Sequence, residues 1–279
     1  MANETTSSTI SELYTEIVAE ALFVASEQSI MRNLVRNYTI AGGGKSVEVP
    51  IYATVSAGAV SEASDLSNTA VNPSSVTITA SEVGIMTTLT DLARNSAGRN
   101  VAGDIGRLFG EAIARKMDSD LSALFTGFST ERAAGAGNEL TIADIFEAVA
   151  DLRTANAPGP YYGVFHPKQI FNVKKSLTNT FVGRDTELSN EAMRSGLVGN
   201  IAGVQIFESS NISVDGSDDS IGGVFSQDAL ALAMMQDLKL ETQRDASLRA
   251  DEIVATAVYG VSEIHDSYGV KLTADTLAN

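Results

Sequence analysis

The sequence predicts an α+β protein, and three patterns support this fold class. Apolar residues recur at helical spacing over residues 101–128, enough for one rod of about 40 Å. Apolar and polar residues alternate, as they do in strands, over residues 47–51 and again over residues 76–80. Further strand patterns follow a second group of helices, between residues 204 and 264. Long helical and strand patterns in separate runs are typical of an α+β fold.

The composition is that of an acidic globular chain. Of its 279 residues, 44% are hydrophobic, which is ample for a sizeable core. The 35 acidic and 19 basic residues give a formal net charge of −16, so the surface as a whole repels nucleic acid and anionic membranes. Because there is no cysteine and only two histidines, disulfide frameworks, thiolate nucleophiles and nearly all zinc sites are excluded.

No export signal or membrane span is expected. The apolar stretch at residues 10–25 contains Glu12, Glu16 and Glu20 and has no basic flank, unlike a signal peptide. No uninterrupted apolar run approaches the roughly 20 residues that cross a bilayer. These features favour a soluble protein made in a cytoplasm and disfavour a secreted adhesin.

The first segment is predicted to be an amphipathic helix. Thr9 and Glu12 form a capping-box pattern in front of it. A helix this short is marginal in isolation, so its apolar stripe needs a surface to cover it. The stripe consists of Ile10, Leu13, Tyr14, Ile17, Val18, Ala21 and Leu22.

Residues 47–80 are predicted to form a long hairpin. Pro50 suits an edge strand, and residues 55–75 contain too few large apolar side chains to build a core. A two-stranded ribbon is hardly stable alone in water, so we expect it to pack against a neighbouring copy of the chain. The contact residues predicted for the first helix and the ribbon are Ile10, Leu13, Ile17, Val47, Val49, Ile51, Val76 and Ile78.

The longest helix is predicted over residues 101–128, with glycines at 127, 135 and 137 ending it. Its apolar face is expected to contain Val101, Ile105, Leu108, Phe109, Ala112, Ile113, Met117, Leu121, Leu124 and Phe128. Its polar face is expected to contain Asp104, Arg107, Glu111, Arg115 and Asp118.

A compact α/β segment is predicted next. Thr141 caps a helix, and an apolar strand at residues 161–165 leads into a second helix. The apolar faces of the two helices are expected to be Ile142, Ile145, Phe146, Val149 and Leu152, and Ile170, Phe171 and Val173. Strands are predicted at residues 204–207, 223–225, 230–240 and 253–264.

Residues 41–46, Ala-Gly-Gly-Gly-Lys-Ser, are similar to the end of a phosphate-binding P-loop. The glycine required five positions before Gly44 is Thr39, and a strand is predicted from Val47 where the phosphate cradle needs a helix. A flexible elbow is therefore favoured, with a P-loop nucleotide-binding protein kept as an alternative of another class.

The remaining chemical candidates are weak. His265 and Asp266 are neighbours in a predicted strand, where they point to opposite faces, and no nucleophile elbow is present. His166 precedes Pro167 at a strand end and is interpreted as structural. The aspartates between residues 215 and 219 lack the calcium-ligand order of an EF-hand. We therefore predict no catalytic, cofactor-binding or metal-binding residue.

Three stretches are similar to recurrent phrases of one family. They are Gly-Val-Phe-His-Pro at 163–167, Gly-Asn-Ile-Ala-Gly-Val-Gln-Ile at 199–206, and Gly-Val-Phe-Ser-Gln-Asp-Ala-Leu-Ala-Leu-Ala at 223–233. With the order of elements, they make nearly the whole chain resemble the major capsid proteins of tailed bacteriophages. These proteins have the Hong Kong 97-like coat fold, which encapsulin shells share.

The resemblance implies a division of the chain into named parts. Residues 1–40 correspond to the N-terminal arm and residues 41–92 to the extended E-loop. Residues 93–137 correspond to the P-domain with its spine helix, and residues 138–228 to the A-domain. Residues 229–279 correspond to the strands that return to the P-domain and to the C-terminal segment.

The resemblance also implies a function. In this family one chain assembles through pentamers and hexamers into an icosahedral shell that encloses double-stranded DNA without sequence-specific binding. Scaffolding, portal and decoration proteins are further candidate partners, and the expected location is the virion capsid, assembled in the host cytoplasm. An encapsulin-type compartment shell is the alternative. Because no lysine lies between Lys45 and Lys116, covalent cross-linking from the E-loop is not expected.

Overall fold

A computed structural model of the chain describes residues 29–41, 43–52, 55, 57–60, 65, 68, 70–96, 101–132, 137–180 and 199–276. The helix predicted around residues 10–22 lies outside these ranges. The described part contains two sheets, a long helix between them, an outer pair of helices and a two-stranded ribbon. Helical and strand segments are both present, as the α+β prediction requires.

The first sheet consists of β1 (Arg36–Thr39), β4 (Ser81–Thr90), β9 (Leu230–Asp245) and β10 (Ala250–Glu263). The order across the sheet is β1, β9, β10, β4. The long antiparallel hairpin of β9 and β10, predicted only in part, forms its centre, and β1 pairs in parallel with β9. The edge strand β4 pairs antiparallel with β10 over its whole length.

The predicted long helix is confirmed. After a short helix α1 (Asp91–Ser96), α2 runs over Val101–Ala123 and continues as a 3-10 turn, Leu124–Gly127. Large apolar side chains recur every three to four residues along α2, so they form one stripe along the helix. This stripe packs on the four-stranded sheet in the main core of the molecule. The fully or nearly fully buried members of this face are Phe109, Ile113, Met117, Leu121, Phe125 and Phe128.

For two residues of α2 the predicted face is wrong. Leu108 is 60% exposed, whereas Asp118, predicted to be solvated, is 1% exposed. Asp118 lies four residues from Ala114 and from Ser122, and both of these are buried. Helical spacing therefore places Asp118 on the inner stripe, in spite of its charge.

The second sheet consists of β5 (Tyr161–Phe165), β6 (Asn200–Ile201), β7 (Val204–Glu208), β8 (Asp219–Ser226) and β11 (Gly269–Asp275). The order across the sheet is β11, β8, β5, β7, β6. One face is covered by α3 (Ile142–Thr154) and α4 (Pro167–Thr180), and the other packs against the end of α2. The ring centroids of Phe125 and Phe225 lie 5.4 Å apart at that contact.

The two helices on the five-stranded sheet agree with the sequence prediction in one detail and differ in another. The Thr141 cap is confirmed as a capping box with Asp144. Phe146 and Phe171, assigned to buried helix faces, are each 54% exposed. Their neighbours Ile145 and Ile170 are fully buried, which leaves the adjacent position, about 100° around the helix, in solvent.

The ribbon comprises β2 (Ser46–Ile51), β3 (Ser74–Thr79) and the residues between them. The two strands are antiparallel, with Val47 opposite Ile78 and Val49 opposite Val76. The predicted hairpin is thus confirmed. Its apolar face lies on one side, as strand alternation dictates.

Candidate assembly surfaces

The base of the ribbon packs on its own chain. Val49 is 6% and Ile78 is 1% exposed, and both belong to a cluster with Ala231 and Ala233 of β9. The premise that the ribbon cannot cover its apolar face within one chain is therefore wrong at its base, because β9 and β10 supply the missing surface. Val47, Ile51 and Val76 remain only partly buried.

The outer part of the ribbon presents apolar side chains to solvent. Four large apolar residues in its described part are more than half exposed, in a stretch for which the sequence predicts only a scarcity of such residues. They are Tyr52 at 63%, Val55 at 60%, Val60 at 54% and Val71 at 52%. Several large apolar residues exposed on one segment make it a candidate interaction site.

The arm residues Ile10, Leu13 and Ile17 lie outside the described residues. Sequence reasoning missed a buried contact between α2 and residues 29 and 30. Asp118 of α2 accepts a hydrogen bond from Ser29 Oγ at 2.8 Å and from the backbone N–H of Ile30 at 3.1 Å. Burial raises the pKa of Asp118, and these hydrogen bonds oppose that shift.

A third surface lies at the far end of the four-stranded sheet. Leu92 is 80% exposed and Leu248 is 59% exposed. Asp91 N–H donates to the carbonyl of Arg249 at 3.0 Å, which brings the start of α1 to the turn between β9 and β10. The Arg244 guanidinium holds this corner together, because its Nη1 lies 2.7 Å from Asp91 Oδ1 and 3.2 Å from Asp251 Oδ1.

A carboxyl pair lies where the chain passes from the first sheet to the second. Asp266 accepts a hydrogen bond from the backbone N–H of Ser129 at 2.7 Å and another from the Ser129 hydroxyl. Burial raises the pKa of Glu263, and the neighbouring Asp266 carboxylate raises it further. Asp266 thus joins the chain just after β10 to the segment that follows α2 and its 3-10 turn.

The rejected catalytic motifs remain unsupported by geometry. His265 is not in a strand as predicted; it precedes a 3-10 turn, Asp266–Tyr268, because the chain bends there toward β11. Its ring lies 4.6 Å from that of Tyr268, while the Asp266 carboxylate bonds to Ser129. Burial lowers the pKa of both His166 and His265.

The loop motifs also have structural explanations. A strand begins at Ser46, so no helix N-terminus follows Lys45. Asp215 Oδ1 accepts hydrogen bonds from the N–H groups of Ser217 at 2.8 Å and Asp219 at 2.9 Å, as in a tight turn.

Over the ranges that the structure covers, no three histidine, aspartate or glutamate side chains converge to hold a metal ion. In the same ranges, no helix is both long and apolar enough to cross a membrane.

Solved structures of phage capsids share this fold. The capsid of the cyanophage P-SCSP1u is 19% identical, with a TM-score of 0.71 over 88% of each chain. A structure from Mycobacterium phage Che8 is 22% identical, with a TM-score of 0.65 over 82% of this chain and 84% of that one. The head of Helicobacter pylori bacteriophage KHP40 is 15% identical, with a TM-score of 0.66 over 88% and 89%.

A family-level match agrees with these structures. No curated protein matches the chain significantly. The profile of the family described as phage capsid protein matches residues 74–271, from the start of β3 into β11. With most of its length matched in this way, the chain belongs to the phage capsid protein family.

Proposed function

We propose that this capsid protein is the major coat subunit, which assembles through pentamers and hexamers into an icosahedral shell around double-stranded DNA. The observation that carries the proposal is the ribbon, whose outer residues Tyr52, Val55, Val60 and Val71 are more than half exposed. Such contacts are individually weak, but a closed symmetric assembly repeats them many times. The chain acts as a structural protein with no catalytic site of its own.

The parts of the chain keep the proposed roles of arm (1–40), E-loop (41–92), P-domain with spine helix (93–137), A-domain (138–228) and returning segment (229–279). Two strand pairings support a refinement of this proposed division. Since β11 pairs with β8, we propose that residues 269–275 be grouped with the A-domain. Since β4 pairs with β10, we propose that residues 81–90 be grouped with the P-domain.

We further propose that Ile10, Leu13 and Ile17 of the arm contact a neighbouring copy, together with Val47, Ile51 and Val76 on the partly exposed part of the ribbon. Val49 and Ile78 support these contacts indirectly, because their burial fixes the ribbon on its own body. Leu92 and Leu248 offer an additional contact surface at the opposite end of the four-stranded sheet.

Assembly of ribbon variants tests the proposal. Val60→Ser combined with Val71→Ser removes exposed apolar surface without opening a cavity, so the chain should fold but form few closed shells. The matched control is Phe171→Ser, which removes an equally exposed apolar side chain from α4. Light scattering and electron microscopy measure assembly. Normal shells from the ribbon variant would contradict the proposed contact.

The arm is tested in the same assay. Ile10→Ser, Leu13→Ser and Ile17→Ser together should reduce shell formation, because they remove the apolar stripe. Circular dichroism of the unassembled variant controls for folding. Unchanged shell yield and diameter would show that these three residues make no assembly contact.

The cargo and further partners belong to the same proposal. The phage capsid match favours a genome container over an encapsulin-type compartment, for which particles would contain an enzyme. Scaffolding, portal and decoration proteins are proposed partners, and assembly in the host cytoplasm precedes incorporation into the virion.

A further inference from the structure

One long edge of the four-stranded sheet is open. The strand β4 has 10 residues and pairs with β10 on one side only. In an antiparallel edge strand about half of the backbone N–H and C=O groups point away from the neighbouring strand. Within the described residues, no backbone group outside β10 bonds to the backbone of β4. The outer edge of β4 therefore offers a row of donors and acceptors to another strand.

The other edges of the two sheets are protected against such pairing. The strand β1 has only 4 residues and β6 only 2. The edge of β11 is covered, because Lys271 N–H donates to the Thr130 carbonyl at 3.0 Å and Asp275 N–H donates to the Asn138 carbonyl at 2.8 Å. Short edge strands and covering segments both prevent unwanted strand addition. The edge of β4 has neither form of protection.

The sequence of β4 also lacks the residues that usually block an edge. Over Ser81–Thr90 it contains no lysine and no proline, and its one charged residue is Glu82. Its pairing with β10 continues through the whole strand without a bulge. Met86, in the middle of the strand, is 60% exposed although its side chain is apolar. A long, regular edge with little charge is expected to associate with another strand.

The order of residues along β4 suits pairing with β4 of a second copy. A two-fold axis relates two identical antiparallel strands, so one strand is complementary to itself. With the axis at Met86, Gly84 lies opposite Thr88 of the second copy, and Glu82 lies opposite Thr90. No like charges face each other in this register. The two exposed Met86 side chains meet, which removes their apolar surface from water.

We propose that the outer edge of β4 pairs with β4 of a second copy across a two-fold axis, so that two four-stranded sheets form one continuous sheet. The inference rests on the proposed shell, whose icosahedral symmetry contains two-fold axes. It adds a contact that involves neither the ribbon nor the arm. Each contact of this kind is small, and a closed assembly repeats it many times.

Disulfide cross-linking in assembled shells tests the contact. The parent chain has no cysteine, so a disulfide in Met86→Cys joins residue 86 of two copies. Residues directly opposite each other in an antiparallel pair have Cα atoms about 4.5–5.5 Å apart, within the range that a disulfide spans. Mild oxidation should therefore convert the chains to covalent dimers, as measured by denaturing electrophoresis. The control is Phe171→Cys, at a 54% exposed position on α4, which should remain monomeric in the same gel.

Charged variants distinguish pairing of β4 with itself from a contact with another segment. Met86→Lys brings two cations together across the axis and Met86→Glu two anions, so each variant alone should lose most of its closed shells. Circular dichroism of the unassembled variants checks that they fold. An equal mixture of the two variants pairs opposite charges and should restore shell formation. If mixing restores nothing, β4 meets a different segment, such as the ribbon of a neighbour, and the self-pairing is wrong.

These results separate the inference from the proposed function. Shells of normal yield from Met86→Cys that give no covalent dimers would overturn the β4 contact and leave the coat function standing. If the parent forms no shells at all, the coat function fails, and the cross-linking is then carried out on the concentrated soluble chain. Covalent dimers of Met86→Cys in that solution would still support the pairing of β4, and their absence would overturn it.

Discussion

The carboxyl pair Glu263 and Asp266 is placed where two sheets meet. Burial raises the pKa of Glu263 first, and repulsion from Asp266 adds to the effect. A raised pKa in the folded state means that protonation favours folding. The resulting stabilisation is fully present below the ordinary glutamate pKa of about 4.3, and it is lost as the pH rises through the higher pKa of the folded chain.

Glu263→Gln removes this ionisation. The variant should unfold at a higher temperature than the parent at pH 7, where the parent carries the unfavourable charge, and the difference should vanish below about pH 4. Thermal unfolding followed by circular dichroism across this pH range measures it. Glu147→Gln, at an exposed position on α3, is the control. A difference that stays constant with pH would show that the ionisation of Glu263 is not its cause.

At the level of elements, the spacing of apolar residues in the sequence predicted those helices and strands that form from local periodicity. The alternation in β2 and β3 and the helical spacing of α2 are both confirmed. The strand β11 was missed, although Val270, Leu272 and Ala274 alternate with polar residues in the sequence. The position of Asp118 could not be recognised, because an isolated acid on a helix is normally solvated and its partners lie near residue 30.

The attachment of the ribbon to the body also depends on a contact distant in sequence. A side chain at Gly260 of β10 would meet the backbone of Thr79 at the end of β3, with its Cβ 2.8 Å from the Thr79 carbonyl carbon. Backbone atoms cannot rotate away as a flexible side chain can. The missing side chain at Gly260 therefore lets the ribbon lie directly on the sheet.

Gly260→Ala should lower the free energy of unfolding by about 1–3 kcal/mol, as overpacking does. Denaturant unfolding of the unassembled chain measures the change. Gly216→Ala is the matched control, because a Cβ at Gly216 meets no atom within 4 Å, and it should alter stability by less than about 0.5 kcal/mol. Equal stability of the two variants would contradict the close packing of ribbon and sheet.

For the whole molecule, the acidic net charge has to be compatible with the proposed enclosure of DNA. A shell of the proposed kind must not hold its DNA tightly at every point, and a formal net charge of −16 supplies repulsion over the surface as a whole. Sequence composition was sufficient for this inference, because net charge does not depend on the fold. The closed assembly itself could not be predicted from composition, since it depends on where the exposed apolar residues lie.

The unassembled chain should not bind duplex DNA. Fluorescence anisotropy of a short labelled duplex at low salt should show no change on addition of the protein, because acidic residues outnumber basic ones. A basic DNA-binding protein provides the positive control. Binding that is tight at low salt and weakens steeply as salt is added would reveal a phosphate-binding surface and contradict the prediction.

Electron cryomicroscopy of particles formed by the purified chain tests the proposed function of the molecule most directly. We predict closed shells of uniform diameter in which each ribbon lies on an adjacent copy while Val49 and Ile78 stay buried against their own β9. A chain that remains monomeric at every protein concentration and ionic strength would contradict the assignment as a coat subunit.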